Sequence, residues 1–95
     1  MRKIPYGRQN IDADDIDAVV SVLKSDFLTQ GPIVNQFEEK FARYVGANFA
    51  VAVNNATAAL HLSALALGLK KGDRVITTPI TFAATANCIR YVGAE

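Results

Sequence analysis

Apolar residues follow two rhythms along this chain, and the change from one to the other marks its elements. Between positions 12 and 25, Ile16, Val19, Val20 and Leu23 recur at spacings of three and four, which predicts a helix with one apolar side. Asp12, Asp14, Asp15 and Asp17 crowd its first turns, where the positive end of the helix dipole favours carboxylates. A loop, Asp26-Phe27-Leu28-Thr29-Gln30-Gly31-Pro32, leads to a second helix that starts near Pro32 and carries Val34, Phe37, Phe41 and Tyr44 on one side. The rhythm then breaks. Phe49-Ala50-Val51-Ala52-Val53 is apolar without alternation, which predicts a strand over 48–53 of the parallel kind, covered on both faces. A helix over about 56–67, a turn over 68–73, a strand over 74–77 that exits through Thr78 and Pro79, and a last helix over 81–91 complete the pattern.

The order helix, strand, helix, strand, helix predicts the α/β class, with a mainly parallel sheet and right-handed crossover helices. Tyr44-Val45-Gly46-Ala47 precedes the first strand, and Tyr91-Val92-Gly93-Ala94 precedes only Glu95. Gly46 and Gly93 are therefore expected just past helix ends, in the left-handed conformation that turns a chain toward a strand. On this pattern the chain is expected to be an N-terminal piece of a longer protein, cut where a third strand begins. A chain this short buries only about 60–65% of its unfolded surface, so a two-sided sheet with two strands is expected to be marginal alone.

The junction at 53–57 has the shape of an anion site. A helix that starts at the carboxyl end of a strand presents unpaired backbone N–H groups and partial positive charge there, and Asn54, Asn55 and Thr57 add short polar side chains. An ordinary capped helix satisfies the same pattern, because Asn and Thr are common caps. The exit of the second strand, 78–82, lies on the same expected sheet edge, where ligands of parallel sheets bind. Phe82 there suits either stacking on a flat heterocycle or a place in the core. Neither a G-x-x-x-x-G-K-[ST] loop nor a G-x-G-x-x-G turn is present.

Composition narrows the classes. At 51% apolar and 20% charged residues, the chain is globular rather than disordered, and its apolar runs are too short to span a bilayer. The net charge of +1 comes from scattered lysines and arginines, with no basic stripe for nucleic acid. The acidic run at 12–17 lacks the glycine and terminal glutamate of a calcium loop, so no metal site is expected. The single cysteine, Cys88, fits a reducing cytoplasm and reads as a small buried apolar residue.

Taken together, Gly7-Arg8-Gln9, Leu28-Thr29-Gln30-Gly31-Pro32, Phe37-Glu38, Asn54-Asn55-Ala56-Thr57-Ala58-Ala59-Leu60-His61 and Thr78-Pro79-Ile80-Thr81-Phe82-Ala83-Ala84-Thr85-Ala86-Asn87 resemble the N-terminal quarter of the DegT-type sugar aminotransferases. The motifs occur in order across essentially the whole chain. The resemblance implies pyridoxal 5'-phosphate on a partial aspartate-aminotransferase-like large domain (fold type I), in a cytoplasmic homodimer with sites at the subunit interface. It implies transfer of an amino group, typically from glutamate, to C4 of a UDP-linked 4-keto-6-deoxy-N-acetylhexosamine, as in pseudaminic acid biosynthesis. Thr57 and Ala58 match positions that hold the cofactor phosphate, and Phe82 matches the aromatic on the pyridine ring. Asn55 and Ala56 sit where cofactor or substrate contacts begin. Tyr6 and Asp26, Phe27, Leu28 and Thr29 match the lining of the nucleotide-sugar pocket.

The resemblance also divides the chain into an arm, first helix and substrate-side loop at 1–32 and the beginning of the cofactor domain at 33–95. In the family, the Schiff-base lysine and the acidic residue at the pyridine nitrogen lie beyond position 95, and none of Lys3, Lys24, Lys40, Lys70 and Lys71 matches the Schiff-base motif. His61 reads as a structural histidine within its helix. Related cofactor-dependent sugar dehydratases carry His in place of that lysine, and a non-catalytic phosphate- or nucleotide-binding α/β module uses the same kind of junction.

Overall fold

The computed structural model describes residues 5 and 7–95. It contains α1 (Ala13–Leu23), α2 (Pro32–Val45), α3 (Ala56–Ala66) and α4 (Ala83–Tyr91). The chain divides into two compact units, Met1–Ala50 and Val51–Glu95. Among the described residues, no helix is long and apolar enough to cross a membrane.

In the first unit, α1 opens on a reciprocal capping box. The Asp12 carboxylate accepts from the Asp15 N–H at 3.1 Å, and the Asp15 carboxylate accepts from the Asp12 N–H at 3.2 Å. Asp12 is thus a cap rather than a helical residue. At the other end, the Ser25 hydroxyl donates to the Val22 carbonyl at 2.7 Å, which closes the helix short of the expected position 25. Gly31 caps α2 from a close approach, because a Cβ there would lie 2.7 Å from the Phe27 carbonyl oxygen. Gly31→Ala is therefore expected to push the 27–31 loop outward and destabilise the full-length protein by about 1–3 kcal/mol, read as a lowered thermal midpoint. The residue before it, Gln30, has φ 54°, a left-handed conformation uncommon outside glycine.

Three helices end in the same way. After α2 the Ala47 N–H reaches the Ala42 carbonyl at 2.9 Å, after α3 the Leu69 N–H reaches Ala64 at 3.2 Å, and after α4 the Ala94 N–H reaches Ile89 at 3.2 Å. In each case a glycine stands in between, Gly46, Gly68 or Gly93, with φ of 71°, 73° and 81°. This is the Schellman arrangement, and it meets the expectation for Gly46 and Gly93.

The second unit holds α3 packed on α4. Its core is small: Cys88, Ile89 and Ala94 are buried together, with Val75 and Val92 against them. The Cys88 thiol donates to the Thr85 carbonyl at 3.2 Å, as suits a buried structural thiol. His61 is half-buried, with its ring edge-on to Tyr91 at 5.4 Å between centroids, a packing role as expected.

The expected strands over 48–53 and 74–77 are corrected by the structure. Among the described residues neither joins a regular ladder. A strand exists only through its hydrogen-bonded neighbours, and the apolar character of these segments is not matched by burial: Phe49 is 88% exposed and Ile76 99%. One pairing does form. The Glu95 N–H donates to the Asp73 carbonyl at 2.9 Å, and the Val75 N–H donates to the Glu95 carbonyl at 2.7 Å. One residue bonded to two others two positions apart is the parallel pattern, so the 74–77 segment is engaged in the sense expected for an α/β sheet.

Candidate functional site at the start of α3

The extended segment that ends at Asn55 (φ −164°, ψ 163°) passes directly into α3. A helix cannot satisfy its first four N–H groups from within, and here these belong to Asn55, Ala56, Thr57 and Ala58. The Asn55 side-chain oxygen accepts from the Ala58 N–H at 2.8 Å. Its amide nitrogen donates to the Asn54 side-chain oxygen at 3.0 Å, which orients the Asn55 amide for that task. The N–H groups of Ala56 and Thr57 and the Thr57 hydroxyl complete the donor set of the first turn. No acidic residue stands in that turn to oppose an anion. Thr57 and Ala58 are half-buried, so donors there face less competition from water than at a fully exposed turn.

Phe82 occupies the cap position of α4 (φ −68°, ψ 143°), makes no side-chain cap bond and is 79% exposed. Asn55, Ala56, Thr57, Ala58 and Phe82 thus stand at the starts of two helices that pack on each other within one unit. Asp26, Phe27, Leu28 and Thr29 lie in the other unit, in the loop between α1 and α2, where the Ser25 hydroxyl also reaches the Phe27 carbonyl at 3.3 Å. Tyr6 lies outside the described residues.

One arrangement at the site goes beyond the sequence expectation. The hydroxyls of Thr81 and Thr85 are bonded at 3.0 Å across Phe82, and the Thr85 N–H closes on the Phe82 carbonyl at 3.0 Å. The signal for it in the sequence is a pair of threonines four apart around an aromatic residue.

Residues 9–95 match the model of the DegT/DnrJ/EryC1/StrS aminotransferase family. The chain is 50% identical over 92 residues to the UDP-4-amino-4,6-dideoxy-N-acetyl-beta-L-altrosamine transaminase of Campylobacter jejuni strain 81-176, which covers 97% of this chain and 24% of that protein. Among solved structures it is similar to Spr1654 from Streptococcus pneumoniae, assigned as a sugar aminotransferase and solved in its PLP form, with 34% identity and a TM-score of 0.88 over 99% of this chain and 24% of that one. It is equally similar in shape to the Escherichia coli GDP-4-keto-6-deoxy-D-mannose-3-dehydratase with bound hydrated PLP, with 31% identity and a TM-score of 0.88 over 100% of this chain and 26% of the other. The chain therefore spans about a quarter of the length of the relatives it matches. The passage of an extended segment into α3 at Asn55 and this shared fold agree: the chain belongs to the DegT/DnrJ/EryC1/StrS aminotransferase family and forms part of a fold type I domain.

Proposed function

We propose that this chain is the N-terminal part of a pyridoxal-phosphate-dependent aminotransferase that moves an amino group, from glutamate, to C4 of a UDP-linked 4-keto-6-deoxy sugar, in a homodimer. The observation that carries the reading is the start of α3. The N–H groups of Ala56 and Thr57 and the Thr57 hydroxyl form an anion-binding turn with no carboxylate beside it, at the end of an extended segment. That donor set fits a phosphate. Pyridoxal phosphate, when bound, would supply the electron sink and the carrier for an amino group moved from an amino acid to a keto group. The residues of this chain anchor and orient it. Thr57 donates to the phosphate, and Asn55 keeps the first turn in shape by holding the Ala58 N–H. Ala58 serves through that cap, while Phe82 covers the flat ring. The segment 26–29 and Tyr6 belong to the sugar-nucleotide side. The 50% identity to an altrosamine transaminase supports the C4 specificity.

A second reading is kept by the likeness to a 3-dehydratase, which shares this part of the fold at an equal TM-score. The same phosphate turn serves both. The residue at the family's Schiff-base position, lysine for the transaminase and histidine for the dehydratase, separates them.

In the full-length protein, Thr57→Val keeps the shape of the side chain and removes one hydrogen bond to a charged group. Such a bond contributes about 1.5–3 kcal/mol, so cofactor affinity is expected to fall roughly ten- to a hundredfold. Phe82→Leu is expected to weaken it less. Wild-type cofactor affinity in both variants, accompanied by lowered melting temperatures, overturns the assignment and makes both residues structural.

A further inference from the structure

The start of α4 departs from ordinary helix chemistry in a way that the phosphate turn does not explain. The cap position of a helix normally falls to Ser, Thr, Asn or Asp, whose side-chain oxygen satisfies an N–H of the first turn. Here it holds Phe82, which makes no side-chain cap bond and is 79% exposed as a residue. A lost cap counts against the fold, and local rules broken in this way gather at sites that serve function.

The backbone around that ring is nonetheless held from both sides, and each bond ends on Thr85. Its N–H reaches the Phe82 carbonyl at 3.0 Å, and its hydroxyl reaches back across Phe82 to the Thr81 hydroxyl at 3.0 Å. Thr85 is itself tied to the core, because its carbonyl accepts from the thiol of buried Cys88 at 3.2 Å. Threonine suits the task, since its branched Cβ limits the rotation that points the hydroxyl. A continuous path thus runs from the buried core through Thr85 to the residue that precedes the exposed ring.

We propose that Thr85, through its hydroxyl bond to Thr81, is a positioning residue that fixes Phe82 for face-on contact with a planar, phosphate-bearing heteroaromatic ring. Neither threonine needs to touch that ring. The inference rests on the reading of Phe82 as the residue that covers pyridoxal phosphate.

The test uses the full-length protein, with pyridoxal phosphate as the probe and two readouts, the dissociation constant and the visible circular dichroism of the bound cofactor. Thr85→Val removes the hydroxyl at nearly constant shape and is expected to weaken cofactor binding about two- to tenfold, the range of one neutral hydrogen bond, and to alter the dichroic band. Thr81→Val breaks the same bond from the exposed side and is expected to give the same change, which keeps the test open if Thr85→Val folds poorly. Thr85→Ser keeps the hydroxyl and is expected to restore both readouts. On a Phe82→Leu background Thr85→Val is expected to add nothing, because it acts through the ring. A full additive loss on that background, or wild-type affinity and dichroism in both Val variants, overturns the positioning role. An unchanged band and affinity in Phe82→Leu alone overturn the reading of Phe82 beneath it.

Discussion

Incubated with pyridoxal phosphate, glutamate and a UDP-linked 4-keto-6-deoxy-N-acetylhexosamine, the 95-residue chain by itself is expected to form no amino sugar above the background of free cofactor. Transamination needs an amine that would hold the cofactor covalently at rest and move a proton between the substrate carbon and the cofactor. The chain's lysines are Lys3, Lys24, Lys40, Lys70 and Lys71, and none stands in the family's Schiff-base motif. Lys70 and Lys71 belong to the turn after α3, where the Lys70 N–H is held by the Asp73 carboxylate at 2.9 Å, and both are exposed. Under the proposed function, the chain contributes a phosphate-binding turn and a ring-covering aromatic, which bind and orient without reacting. Amino-sugar formation above background, measured by mass spectrometry of the nucleotide sugar, overturns this expectation and requires a catalytic amine among those five lysines or at the N-terminus.

The helices were legible because their signals are local. The capping box at Asp12 and Asp15, proline in the first turn of α2 and glycine past three helix ends act within a turn of where they stand. The capped start of α3 was legible for the same reason, since the Asn55 side chain reaches the Ala58 N–H within the first turn. The strands were not, because a strand is a relation between segments. An apolar run such as 49–53 states what it can bury, and its burial depends on which chain lies beside it. The Thr81 and Thr85 bond was hidden by a two-residue shift. A helix that starts at 81 places Thr85 in its second turn, whereas the observed start at Ala83 makes Phe82 the cap and lets the two hydroxyls meet across it. The register of a helix start thus decided whether a side chain read as filler or as a brace.

The 95-residue chain in dilute buffer is expected to be partly molten or self-associated, without the sharp transition of a finished domain of its size. The apolar side of α1, formed by Ile16, Val19, Val20 and Leu23, is exposed throughout, and so are Phe37, Phe41 and Tyr44 of α2. Phe37 and Phe41 stack on each other at 5.9 Å, yet both residues remain about half exposed. Among the described residues, the buried apolar ones are mostly small, Ala42, Ala64, Ala84, Cys88 and Ala94, with Ile89 the largest. Full burial of a side chain such as Leu or Phe contributes about 1.5–3 kcal/mol, and here that gain is withheld at most large apolar positions while the entropy of ordering the backbone is still opposed to folding. Extended segments that leave Phe49, Val51 and Ile76 exposed add apolar surface suited to edge pairing between copies. Secondary structure held by caps can survive this, because those bonds are local, but a single cooperative unfolding event needs a shared core. Light scattering, thermal melting and binding of a hydrophobic dye check the expectation together. A monodisperse monomer with a sharp two-state melt and no dye binding overturns it, and means that the exposed faces of α1 and α2 close on one another in solution.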